Sequence, residues 1–181
     1  MDIDAKYQET LELLKAEKRP FIKLNDEQLQ QLAQLWNELN SRTAPEAEFF
    51  PVLCLADHLT RSHQALNSPL IFTLEHRKEE NLLVYSLSAS FKIIVEECIR
   101  QNERIPFAFL KALKNPLAHE SWEVLEWSLR VIDQLGAQSL FLKNEVLARR
   151  PNLLQKLNPK TKNIAELINT LERRWGQRNH P

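Results

Sequence analysis

Apolar residues recur at helical spacing along almost the whole chain. The clearest run is Ser121 to Gly136, SWEVLEWSLRVIDQLG. Leu125, Ser128, Leu129, Ile132 and Leu135 fall on one helical face, and Trp122, Val124, Trp127 and Val131 cover much of the rest. Ser121 suits an N-cap, because its hydroxyl can accept from an amide that the first turn leaves free. Gly136 follows the last periodic residue, where glycine adopts a left-handed backbone at low cost. A helix apolar on so many sides is expected to be covered on more than one of them.

The same spacing predicts helices elsewhere. Ile3, Tyr7, Leu11 and Leu14 stripe a first helix over 3–18, with Pro20 as its stop. Asn25 and Gln28 fit a capping box ahead of Leu29, Leu32, Ala33, Trp36 and Leu39. Phe49, Val52, Leu53, Ala56 and Leu59 predict a third helix that fades near Leu66. Pro51 lies inside it, so a kink or a fresh start near Phe50 is expected. A turn is expected at Asn67 to Pro69. Residues 70–90 are ambiguous. Tyr85 to Ser90 alternates crudely, as in a hairpin, whereas Leu83, Leu87, Phe91, Ile94 and Cys98 step at helical intervals. We take a helix over 79–101 and a short helix or extended piece at 70–76. Pro106 opens a short helix that Asn115 and Pro116 are expected to end. A helix over 138–149 should turn Leu142, Val146 and Leu147 inward. One or two turns are expected over 151–157. Thr161 caps a last helix with Ile164, Leu167, Ile168, Leu171 and Trp175 on one side.

Composition narrows this further. The chain has 181 residues, enough for one domain with a real core, and we expect a single helical domain over 1–181. Only two glycines are present, which argues against glycine-rich phosphate loops and hairpin-rich β folds. Cys54 and Cys98 are too few for a disulfide scaffold and sit in apolar runs, so buried free thiols in a reducing compartment are expected. No run has the roughly 18 apolar residues of a membrane span. The N-terminus lacks the basic-then-apolar order of a signal peptide. The expected location is cytoplasmic, with no membrane partner.

The segment from Ile105 to Gly136 reads as short helix, turn with proline, longer amphipathic helix, glycine. Asn115, Pro116, Ala118, Ser121, Trp122, Glu123, Val124, Trp127, Leu129, Val131, Ile132 and Leu135 together resemble one unit of a HEAT or armadillo-type repeat. Position 125 is Leu where the commoner repeat has Arg. The likeness covers about 32 residues, and the rest of the chain matches only as helix pairs of suitable length. It implies a short HEAT-like α-α superhelix, with a compact irregular helical bundle of eight or nine helices as the alternative. It also implies scaffolding. Such repeats bind partner proteins on a concave face, and a minority bind DNA, including HEAT-like alkylpurine DNA glycosylases. In that analogy Asp133 would be the general acid.

The residues give little sign of catalysis. HExxH and CxxC are absent. Asp57, His58 and His63 come nearest to a metal set, but the two histidines are five positions apart and off a common helical face. No metal and no cofactor are expected. Glu126 and Arg130 are spaced for an ordinary helical ion pair. Charge says more. From Arg149 onward, Arg149, Arg150, Lys156, Lys160, Lys162, Arg173, Arg174 and Arg178 are opposed only by Glu166 and Glu172, giving +6 within a chain of zero net charge. This basic stretch over 149–178 suits phosphate contacts, an acidic protein, or the acidic part of another copy. Trp122 and Trp127, with Glu123, Glu126 and Arg130, are the candidate partner-binding residues. Trp175 fits the core by its spacing. The leading expectation is a non-enzymatic adaptor that binds a protein. A nucleic-acid-binding module using Arg149, Arg150, Lys156, Lys160, Lys162, Arg173 and Arg174 comes next, then a glycosylase. A homo-oligomer is compatible with all three.

Overall fold

The structure, a computed structural model, describes residues 2–152 and 159–177, with the side chains of Pro159 and Lys160 left out. The chain is all-α. Among the described residues there is no strand, only one isolated parallel bridge between Ile22 and Leu59. The chain divides into two compact units, residues 1–104 and residues 105–181.

The first unit holds α1 (Ile3–Lys15), α2 (Asp26–Ser41), α3 (Glu46–Asp57), α4 (Asn67–His76), α5 (Glu80–Ser90) and α6 (Glu97–Gln101). The Asn25 capping box forms as expected. Gln28 N–H donates to Asn25 Oδ1 at 2.9 Å, and Asn25 N–H donates to Gln28 Oε1 at 3.0 Å. The predicted face of α2 is buried, and Trp36 is fully enclosed. Its indole N–H donates to Thr73 Oγ1 at 2.9 Å, while Asn40 Nδ2 donates to the Pro69 carbonyl at 2.9 Å. Polar groups at the α2–α4 contact are therefore satisfied inside the core.

Three expectations need correction here. Pro51 neither divides α3 nor starts a new helix. Its missing N–H would free the carbonyl of Ala47, which is exposed, so water can take the bond. The third helix ends at Asp57 rather than near Leu66, and a short 3-10 turn, Gln64–Leu66, follows. Asn67 to Pro69 is not a turn but the first turn of α4, where a proline costs no helical hydrogen bond. The hairpin alternative for 70–90 does not occur. The helical path runs from Glu80 to Gln101, with a π-helical stretch, Phe91–Glu96, between α5 and α6. The wider turn buries Ile93, Ile94 and Val95 in succession. Ser62 Oγ donates to the Ile93 carbonyl at 2.8 Å.

The second unit holds α7 (Phe107–Ala112), α8 (Lys114–Ala118), α9 (Trp122–Gln134), α10 (Lys143–Ala148) and α11 (Pro159–Gln177). Helix α9 starts on Ser121, whose Oγ accepts from Glu123 N–H at 3.2 Å and Val124 N–H at 3.5 Å. Gly136 has φ +58, as the stop signal requires. Asn115 and Pro116 do not end the short helix. The break falls at Leu113, and both residues lie in the first turn of α8. The helix expected over 138–149 is a 3-10 stretch, Gly136–Leu142, followed by α10. Leu142 and Val146 are buried, while Leu147 is half-buried. Thr161 is not the cap of α11 but lies within its first turn, fully buried. Trp175 is core, and its indole N–H donates to Ser139 Oγ at 2.9 Å. The turns expected at 151–157 fall largely outside the described residues.

Candidate functional site

In the first unit, the end of α3 faces two cavities. Pro20 directs the chain back toward this end. There Ile22 N–H donates to the His58 carbonyl at 3.0 Å and Thr60 N–H donates to the Ile22 carbonyl at 2.9 Å. These two bonds fix the path by which the chain leaves α3. Asp57 and His58 line both cavities. One is about 250 Å³ and is walled by Tyr7, Leu11 and Leu14 of α1, Phe50, Leu53 and Cys54 of α3, and Tyr85 of α5. The other, about 660 Å³ and more open, is bordered by Arg19, Phe21, Ser88, Lys92 and Glu96.

The polar contacts around Asp57 and His58 are specific. Ser88 Oγ donates to Asp57 Oδ1 at 2.8 Å. Lys92 Nζ donates to the backbone carbonyl of Asp57 at 3.0 Å, not to its carboxylate. His58 Nδ1 lies 2.9 Å from the Cys54 carbonyl. A carbonyl only accepts, so Nδ1 carries a proton and donates. Burial, and then the Asp57 carboxylate, pushes the Cys54 thiol up to about 11. It is therefore a thiol at neutral pH and a poor nucleophile. Burial likewise raises Tyr7, with Cys54 and Tyr85 adding to it. Cys54 is half-buried on the cavity wall rather than in the core, whereas Cys98 is buried.

His63 does not join Asp57 and His58. Its Nδ1 accepts from Ala65 N–H at 3.2 Å and so starts the 3-10 turn. Among the described residues no group of three His, Cys, Asp or Glu side chains could hold a metal ion. No described helix is long and apolar enough to cross a membrane.

In the second unit, Trp122 and Trp127 are both half-buried on α9, while Glu123 and Arg130 are exposed. Arg130 Nη2 pairs with Glu126 Oε1 at 2.6 Å. The basic residues are partly committed within the unit. Arg149 Nη2 donates to the His119 carbonyl at 2.7 Å. Arg150 pairs with Glu172 at 2.6 Å, and Arg174 pairs with Asp133 at 2.6 Å. Arg173 Nη2 donates to Thr170 Oγ1 at 3.3 Å, and Lys162 is exposed. Lys156 and Arg178 lie outside the described residues, as does the side chain of Lys160.

A second feature of this unit was not anticipated from the periodicity. Phe107, at the start of α7, is 64% exposed, and Phe141, in the 3-10 stretch, is 39% exposed. Their rings meet edge to face with centroids 5.0 Å apart. Lys114 Nζ lies 4.8 Å from the Phe141 ring centre and pairs with Glu145. Leu140 is exposed too. A phenylalanine directly after a helix-starting proline is a usable signal, because the opening residue of a short helix is seldom covered by that helix. Phe141 gave none, because a continuous helix was expected where the chain forms a 3-10 stretch.

No protein-family model matches the chain, and comparisons with curated proteins and with solved structures likewise gave no match.

Proposed function

We propose that the chain is a non-enzymatic adaptor whose second unit binds an acidic, amphipathic segment of a partner protein. The observation that carries this reading is the exposed Phe107–Phe141 pair. Aromatic rings with few rotatable bonds lose little entropy on binding, and two that brace each other lose less. Leu140, which precedes Phe141 in the chain, is exposed as well. The sign of the partner follows from charge. Residues 105–181 carry twelve Lys or Arg against seven Asp or Glu, a net +5. An acidic segment is attracted and a basic one repelled. Trp122, Glu123, Glu126, Trp127 and Arg130 on α9 form a second contact surface in this reading. The Ser121-capped long helix closed by Gly136 fits the resemblance to a HEAT-type repeat, most of which bind partner proteins, while Asn115 and Pro116 lie in α8 rather than in a turn.

The test is panning of random amphipathic helical peptides on the purified protein. The expected winners carry apolar residues one helical turn apart with acidic flanks. Their binding is expected to fall at least tenfold in Phe107→Ser and Phe141→Ser, with circular dichroism unchanged, about the loss expected for an aromatic anchor. Winners that bind both variants as well as wild type, or that are basic, sink the proposal. If the protein instead sediments as a concentration-dependent dimer that Phe107→Ser dissolves, the occupant is a second copy and the acidic-partner reading fails.

A further inference from the structure

The smaller of the two cavities beside Asp57 is built like a binding site, and this inference does not depend on the adaptor reading. Protein interiors are close-packed, and a void leaves its walls without contacts. Here α1 lies over a partly open space of about 250 Å³, with Leu14 and Tyr85 exposed at its edge. Engineered apolar cavities of about 150 Å³ already admit benzene. The packing of α1 agrees with this. Thr10 is its only buried residue, its apolar residues Tyr7 and Leu11 are half-buried, and Leu14 is 39% exposed.

The wall chemistry selects the guest. Tyr7, Phe50 and Tyr85 supply three aromatic rings, and the Phe50 and Tyr85 rings meet edge to face at 5.9 Å. Leu11, Leu14 and Leu53 supply an aliphatic floor. Cys54 and Tyr7 hold their protons at neutral pH, since burial raises both. Asp57 is the one carboxyl group on the lining, and Lys92 Nζ is held at its backbone carbonyl rather than at its carboxylate. Ser88 occupies Oδ1 alone. Aromatic faces carry negative potential, so rings combined with a carboxylate favour an organic cation over an anion or a neutral guest of the same shape.

We propose that the cavity between α1, α3 and α5 binds a small organic ammonium ligand, its cationic head at Asp57 and His58 and its apolar body among Leu11, Phe50 and Tyr85. A short-chain alkylammonium or arylalkylammonium fits both the size and the charge.

The experiment uses the full chain and three probes: hexylammonium, hexanol and hexanoate. Binding is followed by amide chemical shifts and by the rise in Tm that a native-state ligand causes. Saturable shifts are expected for the cation, at residues of α1, α3 and α5, with much weaker binding of the other two. Asp57→Asn keeps an oxygen acceptor for Ser88, so the fold should hold. It is expected to weaken cation binding about tenfold or more, the scale of one charge-assisted contact. Leu11→Trp, which fills the cavity, should abolish binding while leaving Tm without ligand unchanged or higher. The proposal is overturned by shifts no larger than those in matched sodium chloride, by equal binding of hexanoate, or by a cation that binds the Asp57→Asn or Leu11→Trp proteins as well as wild type.

Discussion

The Ser88 hydroxyl donates to Asp57 Oδ1 at 2.8 Å, which ties the end of α3 to α5 at the border of two cavities. The two sides of this bond are not equivalent. Removing the hydroxyl leaves a partly buried carboxylate with one contact fewer, whereas Asn at 57 still offers an oxygen. Ser88→Ala is expected to cost about 1–2 kcal/mol, and Asp57→Asn less. Urea unfolding monitored by circular dichroism measures both. A larger loss for Asp57→Asn than for Ser88→Ala would mean that the charge, not the hydrogen bond, holds the two helices.

The polar contact in the core of the first unit should weigh more. Thr73 Oγ1 accepts from the Trp36 indole and lies 2.9 Å from Asn40 Oδ1, all fully enclosed or nearly so. Thr73→Val has almost the same shape but leaves the indole N–H and the Asn40 amide oxygen unsatisfied. The expected loss is about 2–3 kcal/mol. Thr60→Val, at an exposed residue whose hydroxyl donates to the Ile22 carbonyl, serves as the comparison. Equal losses at the two positions would contradict a structural role for the buried network.

Acid should act on this unit through Glu79. Its carboxylate pairs with Arg77, which also donates to the Ala44 carbonyl at 2.8 Å and stands 4.8 Å over the Phe49 ring. The Arg77 hydrogen bond holds Glu79 at about 2, below its ordinary 4.5, against the opposing effect of burial. A carboxyl depressed on folding stabilises the protein at pH above its unfolded value. That stability is lost as pH falls from about 4.5 toward 2. Solvent reaches Glu79, so the contribution is smaller than that of a fully buried pair. Over this window wild type should lose stability more steeply than Glu79→Gln. Parallel acid limbs would show that the pair contributes nothing.

Cys54 reports on the same region as the proposed ligand. In a Cys98→Ala background, alkylation by iodoacetamide should be slow at neutral pH. Its rate should rise about tenfold per pH unit toward about 11, where the thiol titrates. Asp57→Asn removes one of the two influences that raise this thiol, so the rate at a fixed pH should increase. A rate that levels off near pH 8 would place Cys54 in a more solvated setting than the cavity wall.

Much of the fold was legible in the periodicity. The α2 face, the Asn25 box, the Ser121 cap, the Gly136 stop and the burial of Trp175 all follow from spacing and local hydrogen bonding. The misreadings share a cause. Asn67 to Pro69 and Asn115-Pro116 look like breaks, but a proline in the first turn of a helix lacks only an N–H that has no helical partner. The same residues therefore signal an end or a beginning, and which one depends on packing further along the chain. The Asp57 cavity was hidden for another reason. Its walls come from α1, α3 and α5, and no local pattern reveals that α1 will cover them loosely. Charge was legible only as a count. Counting basic residues from Arg149 onward cannot show that Arg150 and Arg174 are already paired.

That pairing yields a test between the two readings of the basic stretch. Glu172 and Asp133 each hold one arginine. Asp133→Asn with Glu172→Gln frees both guanidiniums without removing a basic residue. If this surface contacted phosphates, the double variant would bind mixed DNA and RNA more tightly. Its salt dependence would also steepen by about two phosphate contacts' worth of counterion release. We expect instead weak binding and the same shallow slope for both proteins, since partner recognition in the adaptor reading runs through Phe107 and Phe141. Filter binding across a salt series decides it. Tight wild-type binding that weakens steeply with salt, and steepens further in the double variant, would return the nucleic-acid reading to first place. It would also make Lys162 and Arg173 the next residues to change.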